Sequence, residues 1–214
     1  MTQYLTQKLK MAGVAASAFL VASCGPLISF GDDGPADSIY TLHYGGIVGA
    51  DSPVGPVVYV DSPQMAEGLD GQGVSVRLDG NQRTTLTGAG WAAHLSDLVR
   101  DYVTLALGAT SNANMIGVGG LDIKAGCRLG IKVWAMEFVP GLISSEDTVD
   151  VAMQFSLVRL SDSKLLSHPT FSQTVNVQSS GGRGIVAAFD AAMAAAARDY
   201  SRWFKVESKA CETT

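Results

Sequence analysis

The sequence has few of the residues from which metal sites and nucleophilic active sites are built. Its 214 residues include three histidines and three cysteines, and no histidine has a second histidine or cysteine at ligand spacing. The G-x-S-x-G motif of many hydrolases is absent, and neither glycine-rich stretch carries the G-K-[ST] ending of a nucleotide-binding loop. We therefore predict that the protein is not an enzyme and holds neither a metal ion nor a cofactor.

Charged residues and long apolar runs are also scarce. Charged side chains make up 16% of the chain, the formal net charge is −5, and there is no basic run to bind phosphates, which argues against nucleic acid as a partner. The N-terminal apolar stretch Met11–Ala22 has about 12 residues, whereas a helix needs roughly 18 to span a bilayer. Because Lys8 and Lys10 precede this stretch and small residues follow it, we interpret residues 1–23 as a secretory signal peptide.

The predicted cleavage site falls directly before a cysteine. Val21-Ala22-Ser23-Cys24 resembles the bacterial lipoprotein box, in which the cysteine thiol receives a diacylglyceryl group and the new N-terminus is acylated. Acyl chains hold a protein at a membrane because each buried CH₂ contributes about 0.8 kcal/mol. Gly25 stands where inner-membrane lipoproteins have Asp, which favours the outer membrane. The alternatives are a secreted protein with a coincidental cysteine and a cysteine buried in the core.

The mature chain is expected to form one domain. Residues 24–37 are rich in Gly, Pro and Asp and are typical of a flexible tether. We predict a single α/β domain over residues 38–206 and a C-terminal tail over residues 207–214. Cys127 and Cys211 would lie in the periplasm, where disulfides persist. The sequence leaves a bridge between them and two free thiols equally open.

Strand patterns and helix patterns alternate along this domain. Short β-branched runs begin it, and Asp79-Gly80-Asn81 predicts a hairpin between two strands. A helix is predicted next, with Thr87 as its cap, Gly108 as its end and an apolar stripe at helical spacing. The members of this stripe are Trp91, Leu95, Leu98, Tyr102 and Leu105.

The second half of the domain is predicted to contain a strand meander followed by a long helix. Strict alternation along the strand that begins at Cys127 places Trp134, Met136 and Phe138 on one face. An alanine-rich helix with an apolar stripe over 185–203 closes the domain. All three tryptophans are expected to face the core. Two amphipathic helices and about six strands predict a layered α/β domain with a mixed sheet.

The order of these features is similar to that of the ABC-type transport auxiliary lipoproteins, which accompany MCE-type and paraquat-inducible lipid transport systems of Gram-negative bacteria. The shared features are the lipoprotein box, the stretches IYTL, PVVYVDSP and GLDGQGVSVRL, the segment led by tryptophan, the strand meander and the final alanine-rich helix. One position differs, because Gly90 precedes Trp91 where the family often has arginine.

This resemblance implies a three-layer α/β sandwich similar to the N-terminal domain of TolB-type proteins. It implies a lipoprotein on the periplasmic face of the outer membrane that docks onto an MCE-domain protein and its ABC permease and ATPase. Its role would be to help phospholipid or other hydrophobic cargo pass between membranes, with a ring of protomers as a further expectation. Contact surfaces are expected at the loop before the first helix and on exposed strand faces. The alternative is a lipoprotein that itself binds a lipid or serves another envelope assembly.

Overall fold

The computed structural model describes residues 37–46, 55–79, 82–117, 123–141 and 146–211. The predicted signal peptide, the lipidation residue Cys24 and the predicted tether as far as residue 36 lie outside these ranges. Within the described ranges, none of the helices is both long enough and apolar enough to cross a membrane.

Strands dominate the described residues, and two long helices interrupt them. In chain order the elements are β1 (Ser38–Tyr40), β2 (Val57–Val60), β3 (Gln64–Met65), β4 (Gly73–Arg77), β5 (Arg83–Trp91), α1 (Leu95–Thr110), β6 (Asn114–Ile116), β7 (Cys127–Val139), β8 (Thr148–Arg159), β9 (Lys164–Ser167), β10 (Thr170–Asn176), α2 (Gly182–Glu207) and a 3-10 turn (Ser208–Cys211). The predicted hairpin of β4 with β5 and the meander from β7 to β10 are confirmed, since their pairings are antiparallel.

The long hairpin of β7 with β8 forms the centre of one mixed sheet. β10 and β9 pair with the other edge of β8, both antiparallel. Three short strands pair in parallel along the other edge of β7: β2 near Cys127, β3 near Lys132 and β4 near Phe138. β6 extends the sheet beyond β2, while β5 and β1 extend it beyond β4. The sheet is therefore mixed, as predicted.

One face of the sheet carries the core. Along β8 the side chains over 149–157 alternate between buried and half-buried, because successive residues of a strand point to opposite faces. α2 covers the buried face: the ring of Phe155 lies 5.1 Å from that of Tyr200 and 5.7 Å from that of Trp203, measured between centroids. α1 packs beside α2 and against β6. Both helices thus lie on the core side of the sheet.

The first helix begins later than the sequence pattern predicted. β5 continues to Trp91, so the predicted cap Thr87 lies within a strand, and α1 ends beyond the predicted stop at Gly108. Strand pairing sets this boundary, since the Trp91 N–H donates to the Gln72 carbonyl oxygen at 2.6 Å. Trp91 remains a core residue. It is 2% exposed and packs edge to face against Phe189, with ring centroids 5.5 Å apart.

Trp134 does not face the core, contrary to the prediction from strict alternation along β7. A β-bulge shifts the alternation: Val133 pairs with Met153 and Ala135 pairs with Ala152, so no residue of β8 is opposite Trp134. Val133 is fully buried, whereas Trp134 is 45% exposed. The bulge therefore turns the largest side chain of the strand towards solvent.

The predicted fold class is confirmed, because a mixed sheet and two amphipathic helices form an α/β sandwich. In the described part of the chain the sandwich consists of two layers, the sheet and the pair of helices. No described element covers the opposite face of β7 and β8, where the resemblance implied a third layer.

Candidate functional site: the open face of the sheet

The sheet face opposite the helices is uncovered over β7, β8 and β10 within the described residues, and we call it the open face. Its side chains alternate with core side chains along each strand. They include Arg128, Lys132, Trp134, Glu137, Asp150, Gln154, Ser156, Thr170, Ser172 and Thr174. The exposed strand faces expected as contact surfaces from the sequence correspond to this set.

Trp134 is the largest apolar side chain on the open face. The Lys132 ammonium lies over its ring, with Nζ 3.9 Å from the ring centroid. A cation–π contact of this kind contributes about 0.5–1 kcal/mol at an exposed site, so it favours one orientation of the indole. An oriented, exposed tryptophan is a residue type that often dominates the binding energy of protein interfaces.

A shallow polar depression of about 200 Å³ adjoins Lys132. Within it, Ser156 Oγ and His168 Nδ1 lie 2.8 Å apart, and the Arg128 Nε–H donates to the Asp61 carboxylate at 2.7 Å. The depression therefore presents a serine hydroxyl, an imidazole and a carboxylate at the surface of the sheet.

A row of charged side chains crosses the sheet beyond Trp134. The carboxylate of Glu137 is 1% exposed and accepts from Arg77 Nη1 and from Arg83 Nε, each at 2.9 Å. Arg77 also pairs with Asp150, which accepts from Thr174 Oγ1 at 2.8 Å. Both oxygens of the buried carboxylate are paired, as a buried charge requires. This row of charged side chains connects five neighbouring strands, so it holds the strands together at one end of the open face.

Cys127 and Cys211 form a disulfide, with Cα atoms 5.3 Å apart. Of the two arrangements that the sequence left open, the structure has the bridge. It joins the start of β7 to the 3-10 turn that follows α2, and both cysteines are buried. The bridge therefore attaches part of the stretch 207–214, predicted as a tail, to the core of the domain.

Two other polar side chains, His94 and Arg183, lie at the starts of the two helices. His94 directly precedes α1 and is 65% exposed, with Nδ1 3.9 Å from the Asp70 carboxylate. Because β5 continues to Trp91, the loop before α1, expected as a contact surface, is only residues 92–94. Arg183 lies in the first turn of α2, whose N-cap is Gly181. In the described ranges no three metal-binding side chains come together.

Sequence reasoning missed Trp134 as a surface residue, although the sequence contains a signal. The buried residues of β7 occupy odd positions over 127–133, whereas Met136 and Phe138 are at even positions. This three-residue step between apolar positions is typical of a bulge, and Trp134 lies inside the step. Glu137 has no comparable signal, because its burial depends on arginines from two other strands.

The described residues form an α/β domain in which the open face of the sheet lies opposite the two helices. Solved structures share this fold. A protein from Xanthomonas campestris is 21% identical, with a TM-score of 0.70 over 80% of this chain and 97% of that one. A hypothetical protein from Chlamydia trachomatis is 5% identical, with a TM-score of 0.52 over 72% of this chain and 98% of that one. At these identities the likeness concerns the fold alone.

The family model for the ABC-type transport auxiliary lipoprotein component matches residues 40–200. The chain belongs to this family, so it is an auxiliary lipoprotein of ABC-type transport. No curated protein sequence is similar enough to count as a relative.

Proposed function

We propose that this protein is a lipid-anchored accessory subunit of an MCE-type ABC transport system. It is held at the periplasmic face of the outer membrane and docks onto an MCE-domain protein and its ABC permease and ATPase. In this position it helps phospholipid or other hydrophobic cargo pass between the two membranes. Family membership supports the auxiliary role, and the resemblance noted from the sequence suggests the MCE partner. Its contribution is protein–protein docking, without catalysis.

The docking role rests on Trp134, an exposed indole in the middle of the open face. Protein interfaces place such aromatic residues at their centre and surround them with polar groups. Along β7 the same order is found: the polar depression lies near Lys132, Trp134 follows, and the charged row begins at Glu137. Burial of the indole by a partner would gain about 25 cal/mol for each Å² of apolar surface removed from water.

Photo-crosslinking in cells tests where the partner docks. A photoreactive phenylalanine analogue replaces Trp134 in the full-length chain, and in a matched control it replaces Leu105. Leu105 is a suitable control because it is 42% exposed but lies on α1, on the helical side of the domain. We expect an MCE-domain protein in the band from position 134 and not from position 105.

Two outcomes of the crosslinking contradict the proposal at different points. Equal capture from both positions would remove the open face as the docking surface. Failure of both positions to capture any MCE-domain or ABC subunit, in cells that express the complete system, would remove the transport role assigned to this protein.

The size of the Trp134 contribution is measured with purified components. Truncation of an interface hot spot costs 2 kcal/mol or more, which corresponds to roughly 30-fold in affinity. Trp134→Ala should therefore weaken binding of the captured partner by about this factor, and Leu105→Ala should leave the affinity within twofold. A Trp134→Ala variant that binds as tightly as the unchanged chain would exclude the indole from the interface.

The membrane anchor is tested separately at Cys24. Cys24→Ser should abolish labelling by radioactive palmitate and release the protein from membranes, because the serine hydroxyl does not replace the acylated thiol. Separation of the inner and outer membranes on a density gradient shows which membrane holds the protein. A Cys24→Ser variant that still fractionates with the outer membrane would show that lipidation does not hold it there.

The ring of protomers is also part of the proposal. Native mass spectrometry of the detergent-solubilised full-length protein should give one discrete oligomer that matches a ring-shaped MCE partner. A monomer under the same conditions, with the partner present, would remove the ring from the proposal.

A further inference from the structure

A groove between α1 and α2 lies on the helical side of the domain, away from the open face, and we call it the helix groove. Its volume is about 480 Å³, within the range of roughly 300–1,000 Å³ found for small-molecule sites. Tyr44 and Tyr102 form one wall and meet edge to face, with ring centroids 5.5 Å apart. Burial raises the pKa of Tyr102 to about 12, so the phenol of Tyr102 is uncharged at neutral pH. Ala194 and Ala197 of α2 supply a floor of small side chains.

Basic side chains line the other side of the helix groove. Arg198, Arg202 and Lys205 border it, and Lys209 borders an adjoining depression of about 310 Å³ that shares Lys205. Arg198, Arg202 and Lys205 follow one another at the spacing that keeps them on one face of α2. Lys209 comes four residues after Lys205, in the 3-10 turn. Among the described residues, the cations of this stripe make one ion pair, a loose contact of 3.8 Å between Arg202 Nη1 and Asp199 Oδ1. The stripe contrasts with the formal net charge of −5 for the whole chain.

One of the residues that line the helix groove carries a buried hydroxyl group. Ser201 is 7% exposed, and its Oγ makes no hydrogen bond within the described part of the molecule. Buried polar groups nearly always have a partner, because leaving one unpaired is costly.

We propose that the helix groove binds an anionic amphiphile, a molecule with a phosphate or carboxylate head and an apolar chain. The head lies against the basic stripe, where arginine can contact phosphate or carboxylate through two parallel hydrogen bonds. The chain lies between the tyrosine wall and the alanine floor. A groove that was only apolar would favour a neutral hydrocarbon, and a cluster that was only basic would favour a free anion. The helix groove combines both properties, and the inference is independent of docking through the open face.

Calorimetric titration of the full-length chain tests the ligand class. The chain is placed in phosphatidylcholine nanodiscs, with empty nanodiscs as the blank, and is titrated with three soluble probes. The probes are dihexanoyl phosphatidylglycerol, dihexanoyl phosphatidylcholine and inorganic phosphate. Because only the first combines a net negative head with apolar chains, we expect it to bind at least tenfold more tightly than the other two.

Each other result overturns the proposal in a recognisable way. Equal binding of phosphatidylcholine would show that the charge of the head plays no part. Equal binding of inorganic phosphate would show an anion site that does not use the apolar chain. Displacement of phosphatidylglycerol by a short glutamate peptide at similar concentration would assign the groove to an acidic peptide. If none of the three probes gives a heat of binding, the groove does not bind an anionic amphiphile.

Two variants of equal net charge separate the groove from general electrostatic attraction. The first neutralises the groove cations, and it is Arg198→Gln/Arg202→Gln/Lys205→Gln. The control neutralises exposed cations elsewhere, and it is Lys124→Gln/Lys164→Gln/Arg183→Gln. We expect the first to lower phosphatidylglycerol affinity at least tenfold and the control to change it less than twofold. An equal loss in both would show that the probe responds to net charge and not to the helix groove.

The apolar part of the helix groove is tested by filling it. Ala194 is half-buried and lines the groove, so Ala194→Phe places a ring where the chain of the ligand would lie. This variant should lose at least tenfold in phosphatidylglycerol affinity while its circular dichroism and unfolding midpoint stay unchanged. Unchanged affinity in a folded Ala194→Phe variant would overturn the proposed position of the chain.

Discussion

Reduction of the Cys127–Cys211 disulfide is expected to cost the domain much of its stability. The bridge joins residues separated by 84 positions. With the chain-entropy relation, closing a loop of that size removes about 15 cal/mol/K from the unfolded chain, or about 4.6 kcal/mol at 25 °C. Loss of a native bridge in a secreted domain costs typically about 2–5 kcal/mol. We expect a value near the upper end, because the enclosed loop is long.

Unfolding of the full-length chain measures this loss directly. The oxidised protein is compared with protein that has been unfolded and refolded in dithiothreitol, and circular dichroism follows both. In a domain of this size each kcal/mol shifts Tm by about 2–4 °C, so the full entropic value corresponds to a Tm lower by roughly 9–18 °C. Cys127→Ala/Cys211→Ala is the control, since reductant should not change its midpoint.

Two results would refute this reasoning. Alkylation of the unreduced, denatured protein at both Cys127 and Cys211 would show that the bridge does not form. If the bridge forms but the oxidised and reduced proteins unfold within about 0.5 kcal/mol of each other, loop closure does not stabilise this domain by the mechanism assumed.

Three further substitutions test other parts of the structure, each by urea unfolding. Glu137→Ala should cost about 1–3 kcal/mol, because Arg77 and Arg83 lose the buried carboxylate that they share; a neutral effect would contradict the role given to the charged row. Phe155→Ala should cost about 3–5 kcal/mol, because this fully buried ring contacts α2 and β10; a loss below about 1 kcal/mol would show that the aromatic cluster repacks. Burial raises the pKa of Tyr102 from 10.0 to about 12. The unfolded chain therefore loses this proton first, and stability should fall by about 2 kcal/mol as pH rises from 10 to 12; Tyr102→Phe should reduce this fall, and an unchanged slope would place its origin elsewhere.

Elements that depend on local pattern were predictable from the sequence. The stripe over 185–203 lies on strong helix formers, so the period of α2 could be identified without knowing its neighbours. The alternation over 149–157 likewise identified both faces of β8. The Asp-Gly pair at Asp79 correctly separated β4 from β5. In each case a single periodicity or a single turn signal was sufficient for the prediction.

Elements that depend on pairing between distant residues were not predictable. Trp91 fits two periods, since it stands two residues after Ala89, as in a strand, and four before Leu95, as in a helix. The hydrogen bond from the Trp91 N–H to the Gln72 carbonyl oxygen places Trp91 in the strand. Trp134 was assigned to the core because the alternation was assumed to be unbroken. The apolar positions of β7 could have indicated the bulge, but the residue opposite it on β8 could not have been identified.

The helix groove has one part that a local sequence pattern indicates and one part that depends on distant residues. Its basic stripe has helical spacing from Arg198 to Lys205, so it could have been recognised once α2 was placed. The wall that faces it is formed by Tyr44 and Tyr102, which precede the stripe by about a hundred residues or more. A net charge of −5 gave no reason to look for a basic surface. A chain with a net negative charge can therefore carry a local basic site that attracts anions, and the net charge alone does not reveal that site.

The disulfide should affect the two surfaces of this domain unequally. Cys211 ends the turn that follows α2, so the bridge holds the Lys205 and Lys209 end of the basic stripe against the start of β7. The position of Trp134 depends instead on the twelve residue pairs that join β7 to β8, and these persist while the sheet is folded. At a temperature where the reduced protein is still folded, phosphatidylglycerol affinity should therefore fall several-fold on reduction, whereas crosslinking through position 134 should keep its yield. A loss of crosslinking with unchanged phosphatidylglycerol affinity would mean that the bridge supports the open face and not the helix groove.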